Sequence, residues 1–149
     1  MRRILVALAV AMALVVVPAA PSSVAMSVDT FDQRLKKQTN KARTANDVRA
    51  LRHGKCLDRY AQRQARRMAR QQRMYHQNLS VVLRACKSRT VGENVAYGFR
   101  TPKSNIRGWL NSPGHRKNML SRKFTRIGIG VAKDSDGRTY TVQVFGRPA

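Results

Sequence analysis

The spacing of the apolar residues changes from a helical to a strand period near the end of the chain, and this change constrains the fold most. From Phe31 to His76, apolar side chains recur every three or four positions, as in amphipathic helices. From Ile127 to Val131 and from Tyr140 to Val144 they alternate instead, on either side of the turn residues Asp134 to Gly137. That pattern predicts a β-hairpin. Helices first and strands last predict the α+β class.

The helical part divides at residues with known capping preferences. A first helix carries an apolar stripe of Phe31, Leu35, Thr39 and Ala42, and a second is predicted from Cys56 to Met74, with His76 at its end. A short helical turn is predicted over Leu79–Ala85. The pairs Thr101-Pro102 and Ser112-Pro113 each predict a helix start, with a hydroxyl residue as cap and proline at the first position.

The N-terminal segment predicts an exported protein, and the length of the remaining chain predicts a single domain. Residues 1–25 resemble a secretory signal peptide, with Arg2 and Arg3 ahead of an apolar run from Ile4 to Val17. The run is shorter than the roughly 20 residues that a membrane span requires. We expect cleavage after Ala25, with cleavage after Ala19 or Ala20, or a retained anchor, as alternatives. Residues 26–149 then form one domain, expected to be a monomer outside the cell.

Export makes the two cysteines informative. Cys56 and Cys86 are the only cysteines, and an oxidising compartment favours a disulfide between them over two buried thiols. The loop that such a bridge closes would contribute roughly 3–4 kcal/mol to stability on the chain-entropy model.

The charge is extreme: 30 Lys and Arg stand against 7 Asp and Glu, for a formal net charge of +23. Such a field attracts polyanions in general, so acidic envelope polymers and anionic lipid are candidate partners, and nucleic acid would bind only nonspecifically. The alternative is a solvated basic surface without a partner. Charge alone does not select between these interpretations.

Glu93 is the only glutamate, and it lies in the segment from Gly92 to Gly98, which we expect to contain a turn at Asn94. Two imidazoles, His76 and His115, could join it in a metal site or an acid–base pair. The alternative is a buried polar network that only fixes the fold. The chain has no H-E-x-x-H, G-x-S-x-G or phosphate-loop motif and no cluster of cysteine ligands, which excludes the enzyme classes that those motifs mark.

Four segments in order carry a family resemblance: Gly92–Gly98, Trp109–Leu120, Phe124–Ala132 and Tyr140–Gly146, with Thr39–Arg43 as a weaker fifth. Together they resemble the bacterial branch of the CAP superfamily of cysteine-rich secretory, antigen 5 and pathogenesis-related 1 proteins. The resemblance covers about residues 30–146. It implies a three-layer α-β-α sandwich with a central antiparallel sheet and a shallow cleft.

The resemblance also implies which residues line the cleft. His76 and His115 match its two histidines and Glu93 matches the acid between them, while Asn94 and Gln143 are further candidates for the cleft wall. The second acid of animal and plant relatives falls at Ser112 here. Two imidazoles and one carboxylate could still hold a divalent metal, with zinc favoured over a harder cation.

Three functions fit these observations. The first is an exported module, not an enzyme, that binds a small molecule or lipid in the cleft or in a groove between helices; the lipid rests on analogy with family members that bind sterols or fatty acids. The second is a metal-assisted hydrolase, peptidase-like or nuclease-like, with His76, Glu93 and His115 as catalytic candidates. The third is a nonspecific polyanion binder.

Overall fold

A computed structural model describes residues 26–149, so the predicted signal peptide lies outside the described residues. In chain order the elements are α1 (Val28–Thr44), β1 (Arg52–His53), α2 (Lys55–Gln71), α3 (Leu79–Ala85), β2 (Ser88–Tyr97), α4 (Pro102–Asn111), α5 (Pro113–Met119), β3 (Arg126–Lys133) and β4 (Thr139–Pro148). Within this part of the chain, no helix is both long and apolar enough to cross a membrane.

One four-stranded sheet forms the middle layer, in the order β1-β3-β4-β2. The three long strands pair antiparallel with one another, and the predicted hairpin is β3–β4. The two-residue strand β1 adds to β3 in parallel, which makes the whole sheet mixed. Helices cover both faces, so the prediction of an α+β three-layer sandwich is confirmed.

One face of the sheet is covered by α2 and α3, and two glycines of β3 bring α2 very close. A Cβ atom at Gly128 would lie 2.1 Å from the Asp58 backbone nitrogen, and one at Gly130 would lie 2.1 Å from the Ala61 carbonyl oxygen. Any side chain at these positions would push the helix away from the strand. The core on this face is mostly aliphatic; its buried members include Leu57, Ala61, Ala65, Met68, Val82, Val95, Tyr140, Val142 and Val144.

The opposite face is covered by α1, α4 and α5, and its core contains larger rings. Successive residues of a strand point to opposite faces. Ile127 and Ile129 of β3 therefore point away from α2, into the other layer. The buried residues of this second core include Phe31, Leu35, Ile106, Trp109, Met119, Phe124, Ile127, Ile129 and Phe145.

The expectation of a turn at Asn94 was wrong, because Gly92 to Tyr97 belong to β2 and pair with β4. Strands therefore do not all follow the helices in sequence. The alternation was hidden because two polar residues, Glu93 and Asn94, occupy buried positions of the strand. Tertiary hydrogen bonds satisfy them there, and these override the low strand propensity of Asn.

Two helix predictions also need correction. The second helix ends at Gln71 instead of Met74, since Gln72 adopts a left-handed conformation with φ of 47°. His76 therefore lies in the α2–α3 connection. The fourth member of the buried stripe of α1 is Arg43, one position beyond the predicted Ala42.

Of the two capping predictions, the one for α4 is confirmed in full and the one for α5 only in part. Thr101 caps α4 through a complete capping box with Ser104. Ser112 precedes Pro113 as predicted, but its side chain makes no capping hydrogen bond.

The disulfide prediction is confirmed: Cys56 and Cys86 are bonded, and the described chain holds no unbridged cysteine. The bond joins the first turn of α2 to the C-cap of α3. It therefore ties the ends of the two helices that cover one face of the sheet.

Candidate binding site around Glu93

Glu93 is held by the connection that follows α2. Its side chain is fully buried, and His76 Nδ1 lies 2.8 Å from Oε1. The backbone N–H of Gln77 donates to the same oxygen at 3.2 Å, and the Gln77 side-chain amide donates to Oε2. A buried carboxylate needs such donors, because desolvation without them is costly.

The His76–Glu93 contact determines what His76 can offer to a ligand. Oε1 of Glu93 also accepts the Gln77 N–H, so in the arrangement with Glu93 as acceptor the shared proton lies on Nδ1 of the imidazole. The side chain of His76 is 58% exposed. Its second nitrogen, Nε2, is thus left to bind a ligand or accept a proton, while Glu93 fixes the orientation of the ring.

Asn94 points to the other face of the sheet, where it joins a buried network. Its Nδ2 donates to Gln143 Oε1 at 3.0 Å and to the His115 carbonyl at 3.1 Å. Gln143 Nε2 donates in turn to Thr39 Oγ1 at 2.7 Å. Asn118 Nδ2 donates to Asn94 Oδ1 and to the Glu93 carbonyl, both at 3.0 Å. The network therefore links β2, β4, α1 and α5.

His115 lies in the first turn of α5, where its carbonyl belongs to this network and its ring is partly buried. Burial lowers the pKa of the imidazole from its ordinary value of 6.5, and the nearby His76 lowers it further. His115 is therefore neutral at neutral pH and can accept a proton or a hydrogen bond.

The predicted cleft residues thus fall into two groups. His76 and Glu93 meet directly on the α2–α3 face, whereas Asn94 and Gln143 meet in the interior behind α1 and α5. His115 belongs to the second group through its backbone and interacts electrostatically with His76.

The sequence reasoning did not identify Gln77, Asn118 or Thr39 as partners of these residues. Asn118 carried a signal: it lies one helical turn after His115, so both are on the same side of α5.

The described residues do not bring three metal ligands together at Glu93. Both oxygens of Glu93 accept hydrogen bonds, so its place is behind His76 as an orienting partner and not beside a metal. Among residues 26–149, no three His, Cys, Asp or Glu side chains lie close enough together to hold an ion. The zinc site stays a prediction, and we derive no chemistry through it.

A separate groove of about 740 Å³ runs between α1 and α4. Ala42 and Ala45 form one wall, and Ile106 and Leu110 form the other. Arg116 of α5 also lines the groove, and its Nη2 donates to Asn46 Oδ1 at 3.3 Å. The remaining lining residues are Gln38, Lys41, Lys103, Arg107 and Asn111.

Comparisons with known proteins first define the class of fold. An outer surface protein of Borrelia burgdorferi superposes with a TM-score of 0.76 at 18% identity, covering 83% of this chain and 97% of that one. An extracellular protein of Bacillus anthracis that contains an SCP domain superposes with a TM-score of 0.73 at 26% identity. That match covers 89% of this chain and 45% of the other. The described fold is therefore the SCP fold.

The family follows from the sequence. Residues 37–145 match the model of the cysteine-rich secretory protein family, CAP. YkwD of Bacillus subtilis, itself described as uncharacterized, is 30% identical over 133 residues, or 85% of this chain. The chain covers 51% of YkwD, about half of that relative's length. The chain belongs to the CAP family, as its motifs predicted.

Proposed function

We propose that this protein acts outside the cell as a binding protein for an anionic amphiphile such as a fatty acid, held in the groove between α1 and α4. The observation that carries the proposal is the combination of an apolar groove with a rim of cations. Ligand pockets of roughly 300–1,000 Å³ with mostly apolar walls and a few polar groups are typical of small-molecule sites.

The walls of the groove suit an alkyl chain. Ala42 and Ala45 are small, which leaves space between α1 and α4, while Ile106 and Leu110 supply apolar surface. Ala45 is exposed to solvent, so part of this apolar surface has no cover in the isolated chain. Burying such surface against an alkyl chain contributes roughly 0.8 kcal/mol for each methylene group.

The rim of the groove suits an anionic headgroup. Lys41, Lys103, Arg107 and Arg116 all line it, and none of its lining residues is acidic. Cations around an apolar groove favour an amphiphile with a negative end over a neutral one. This arrangement supports a fatty acid more than an uncharged sterol.

An extracellular setting is consistent with the rest of the chain. The Cys56–Cys86 bond requires oxidising surroundings to persist. The Bacillus anthracis relative is described as extracellular. Secretion through the predicted signal peptide, with cleavage after Ala25, belongs to the same proposal.

Filling the groove tests it directly. Ala45→Trp places a large ring between the walls, and we expect it to weaken palmitate binding about tenfold or more, measured by calorimetry on delipidated protein. Ala85→Trp is the matched control, since Ala85 is also exposed at the end of a helix but lies outside the groove. Equal palmitate affinity in both variants, with unchanged unfolding temperatures, would contradict the proposal.

Neutralising the rim tests the choice of ligand. Lys103→Gln with Arg107→Gln should weaken palmitate binding while leaving its uncharged methyl ester unaffected. The control is Arg66→Gln with Arg70→Gln, which removes the same charge from the exposed side of α2. If both pairs weaken palmitate binding equally, diffuse charge and not the rim attracts the ligand.

A hydrolase is a second candidate, favoured by one observation: buried Glu93 holds Nδ1 of an exposed His76 and leaves Nε2 available. Such an imidazole can act as a general base. Glu93→Gln would weaken its orientation, so turnover of a substrate should fall while the protein stays folded. Unchanged turnover in both Glu93→Gln and His115→Ala would exclude this function.

A further inference from the structure

Five arginines line a second cavity of about 410 Å³, which shares no residue with the groove between α1 and α4. Arg52 of β1 lies opposite Arg126 of β3 in the sheet. The α5–β3 connection contributes Arg122, and the segment that leads from α1 to β1 contributes Arg49. Arg43 of α1 completes the set.

Two of the five guanidinium groups have structural partners. Arg43 is 1% exposed and donates to the carbonyl oxygens of Met119 at 2.7 Å, Ser121 at 3.0 Å and Arg49 at 2.9 Å. Arg126 Nη1 donates to the His53 carbonyl at 3.1 Å. These contacts tie the walls of the cavity together without neutralising any charge.

The other three guanidinium groups have no such partner. Arg49, Arg52 and Arg122 are exposed, and their side chains make no hydrogen bond or ion pair within residues 26–149. None of the residues that line the cavity is acidic. Asp47 is the acid nearest in sequence, and it neither lines the cavity nor forms an ion pair with the arginines there.

Bringing these cations together is unfavourable in the unliganded protein. Burial lowers the pKa of Arg43, and the charge of Arg122 lowers it further. Like charges held around a concave surface reinforce one another, because the low-dielectric walls focus their field. An anion in the cavity would relieve this repulsion.

We propose that this cavity is a specific binding site for a phosphate ester, engaged by the guanidinium groups of Arg49, Arg52 and Arg122. Guanidinium groups bind phosphate oxygens through paired, parallel N–H···O hydrogen bonds, which makes arginine suited to this anion. A concave site of this size fits one headgroup or small phosphorylated molecule. The site would bind one anion at defined residues, in addition to the nonspecific attraction of polyanions by the basic surface.

The test compares two triple variants that lose the same charge. Arg49→Gln, Arg52→Gln and Arg122→Gln together should weaken binding of glycerol 3-phosphate about tenfold or more, measured by calorimetry at fixed ionic strength. Arg59→Gln, Arg66→Gln and Arg70→Gln, all on the exposed side of α2, should change it less than about twofold. Arg49→Gln alone, compared by thermal shift with and without phosphate, serves if the triple variant folds poorly.

Vesicles identify the source of the phosphate. Phosphatidic acid in phosphatidylcholine presents the group on a membrane, and cholesteryl hemisuccinate at equal charge presents a carboxylate. A loss of glycerol 3-phosphate binding that is confined to the cavity variant supports a soluble ester as the ligand. A loss confined to the cavity variant that is seen only with phosphatidic acid vesicles supports a lipid headgroup. Equal losses in both triple variants, or no binding of either phosphate probe by the unmodified protein, would overturn the proposal.

Discussion

The two faces of the sheet differ in the side chains that pack between the strands and the helices. On one face, Gly128 and Gly130 let the backbone of α2 rest directly on β3, and most buried side chains of the core there are aliphatic, with Tyr140 as the one buried ring among the described residues of this cluster. On the other face, α1, α4 and α5 cover large rings together with a buried polar network through Asn94 and Gln143. The first face excludes side chains at its closest contacts and buries Glu93 where the α2–α3 connection supplies donors, and the second face buries a longer network of mutually satisfied polar groups.

This difference teaches where ligands can bind. Where α2 contacts β3 through Gly128 and Gly130 there is no space for a ligand, whereas small side chains between α1 and α4 leave a concave surface. Both the groove and the arginine cavity are lined by residues of α1, which covers the second face. The following predictions test the comparison, from the largest expected effect to the smallest.

Adding one methyl group to the close-packed face should have the largest effect. In Gly128→Ala the new Cβ would lie 2.1 Å from the Asp58 nitrogen and 2.3 Å from the Leu57 carbonyl carbon, both backbone atoms that cannot move alone. We expect a loss of about 4 kcal/mol or more in the free energy of unfolding, measured by urea denaturation. Gly114→Ala is the control, since nothing lies within 4 Å of its added Cβ. Similar stability of the two variants would refute the close contact.

Removing the disulfide from the same face should cost nearly as much. The bond closes a loop with a sequence separation of 30 residues, so replacing both Cys56 and Cys86 by Ser should lower stability by roughly 3–4 kcal/mol. Comparing the oxidised and reduced wild-type protein by thermal unfolding checks the same quantity without a mutation. No difference between those two forms would contradict the prediction.

Truncating the network on the opposite face should have a smaller effect. Asn94→Ala removes the donor to the His115 carbonyl and to Gln143, and it leaves buried acceptors without partners. We expect a loss of about 2–3 kcal/mol, measured by urea denaturation. Asn111→Ala, at an exposed position at the end of α4, should change stability by less than about 0.5 kcal/mol. If the two substitutions have the same effect, the network does not stabilise this face.

Asp32 of α1 links the helices of the two faces, and its contribution to the free energy of unfolding should depend on pH. Gln62 of α2 donates to Asp32 Oδ2 at 2.7 Å. Burial raises the pKa of Asp32 from 3.8 to about 6, and the charge of Asp58 contributes to the same direction. Ionisation is therefore disfavoured in the folded protein, so this carboxyl lowers stability as pH rises through that range and has no such effect below about pH 4.

Replacing this carboxyl by an amide removes the ionisation and keeps an acceptor for Gln62. Asp32→Asn should stabilise the protein by about 1 kcal/mol above about pH 7, after allowance for solvent screening of a half-buried group. Near pH 4 the gain should vanish. Thermal unfolding of both proteins across this range measures it, and an equal gain at both ends would show that the raised pKa is not its cause.

Much of the fold could be predicted from local patterns. The β3–β4 hairpin follows from alternation around a turn, and α3 begins and ends where its short apolar pattern does. Strand β2 could not be predicted this way, because Glu93 and Asn94 are polar at positions that are buried only after α5 and the α2–α3 connection have packed. The buried position of Arg43 was hidden for the same reason: besides the nearby Arg49 carbonyl, it donates to the carbonyls of Met119 and Ser121, more than 70 residues away.

The sequence by itself determined the class of fold, the family, the cysteine pair and five candidate site residues, His76, Glu93, Asn94, His115 and Gln143. The class follows from the local spacing of apolar residues, the cysteine pair from the cysteine count and the predicted export, and the family and site candidates from the resemblance of four motifs in order. Only the tertiary structure decided that Glu93 and Asn94 point to opposite faces, that Glu93 orients His76, and that five arginines from distant segments surround one cavity. Such facts depend on which strand each segment joins, and strand pairing is fixed by burial and hydrogen bonding across the whole chain.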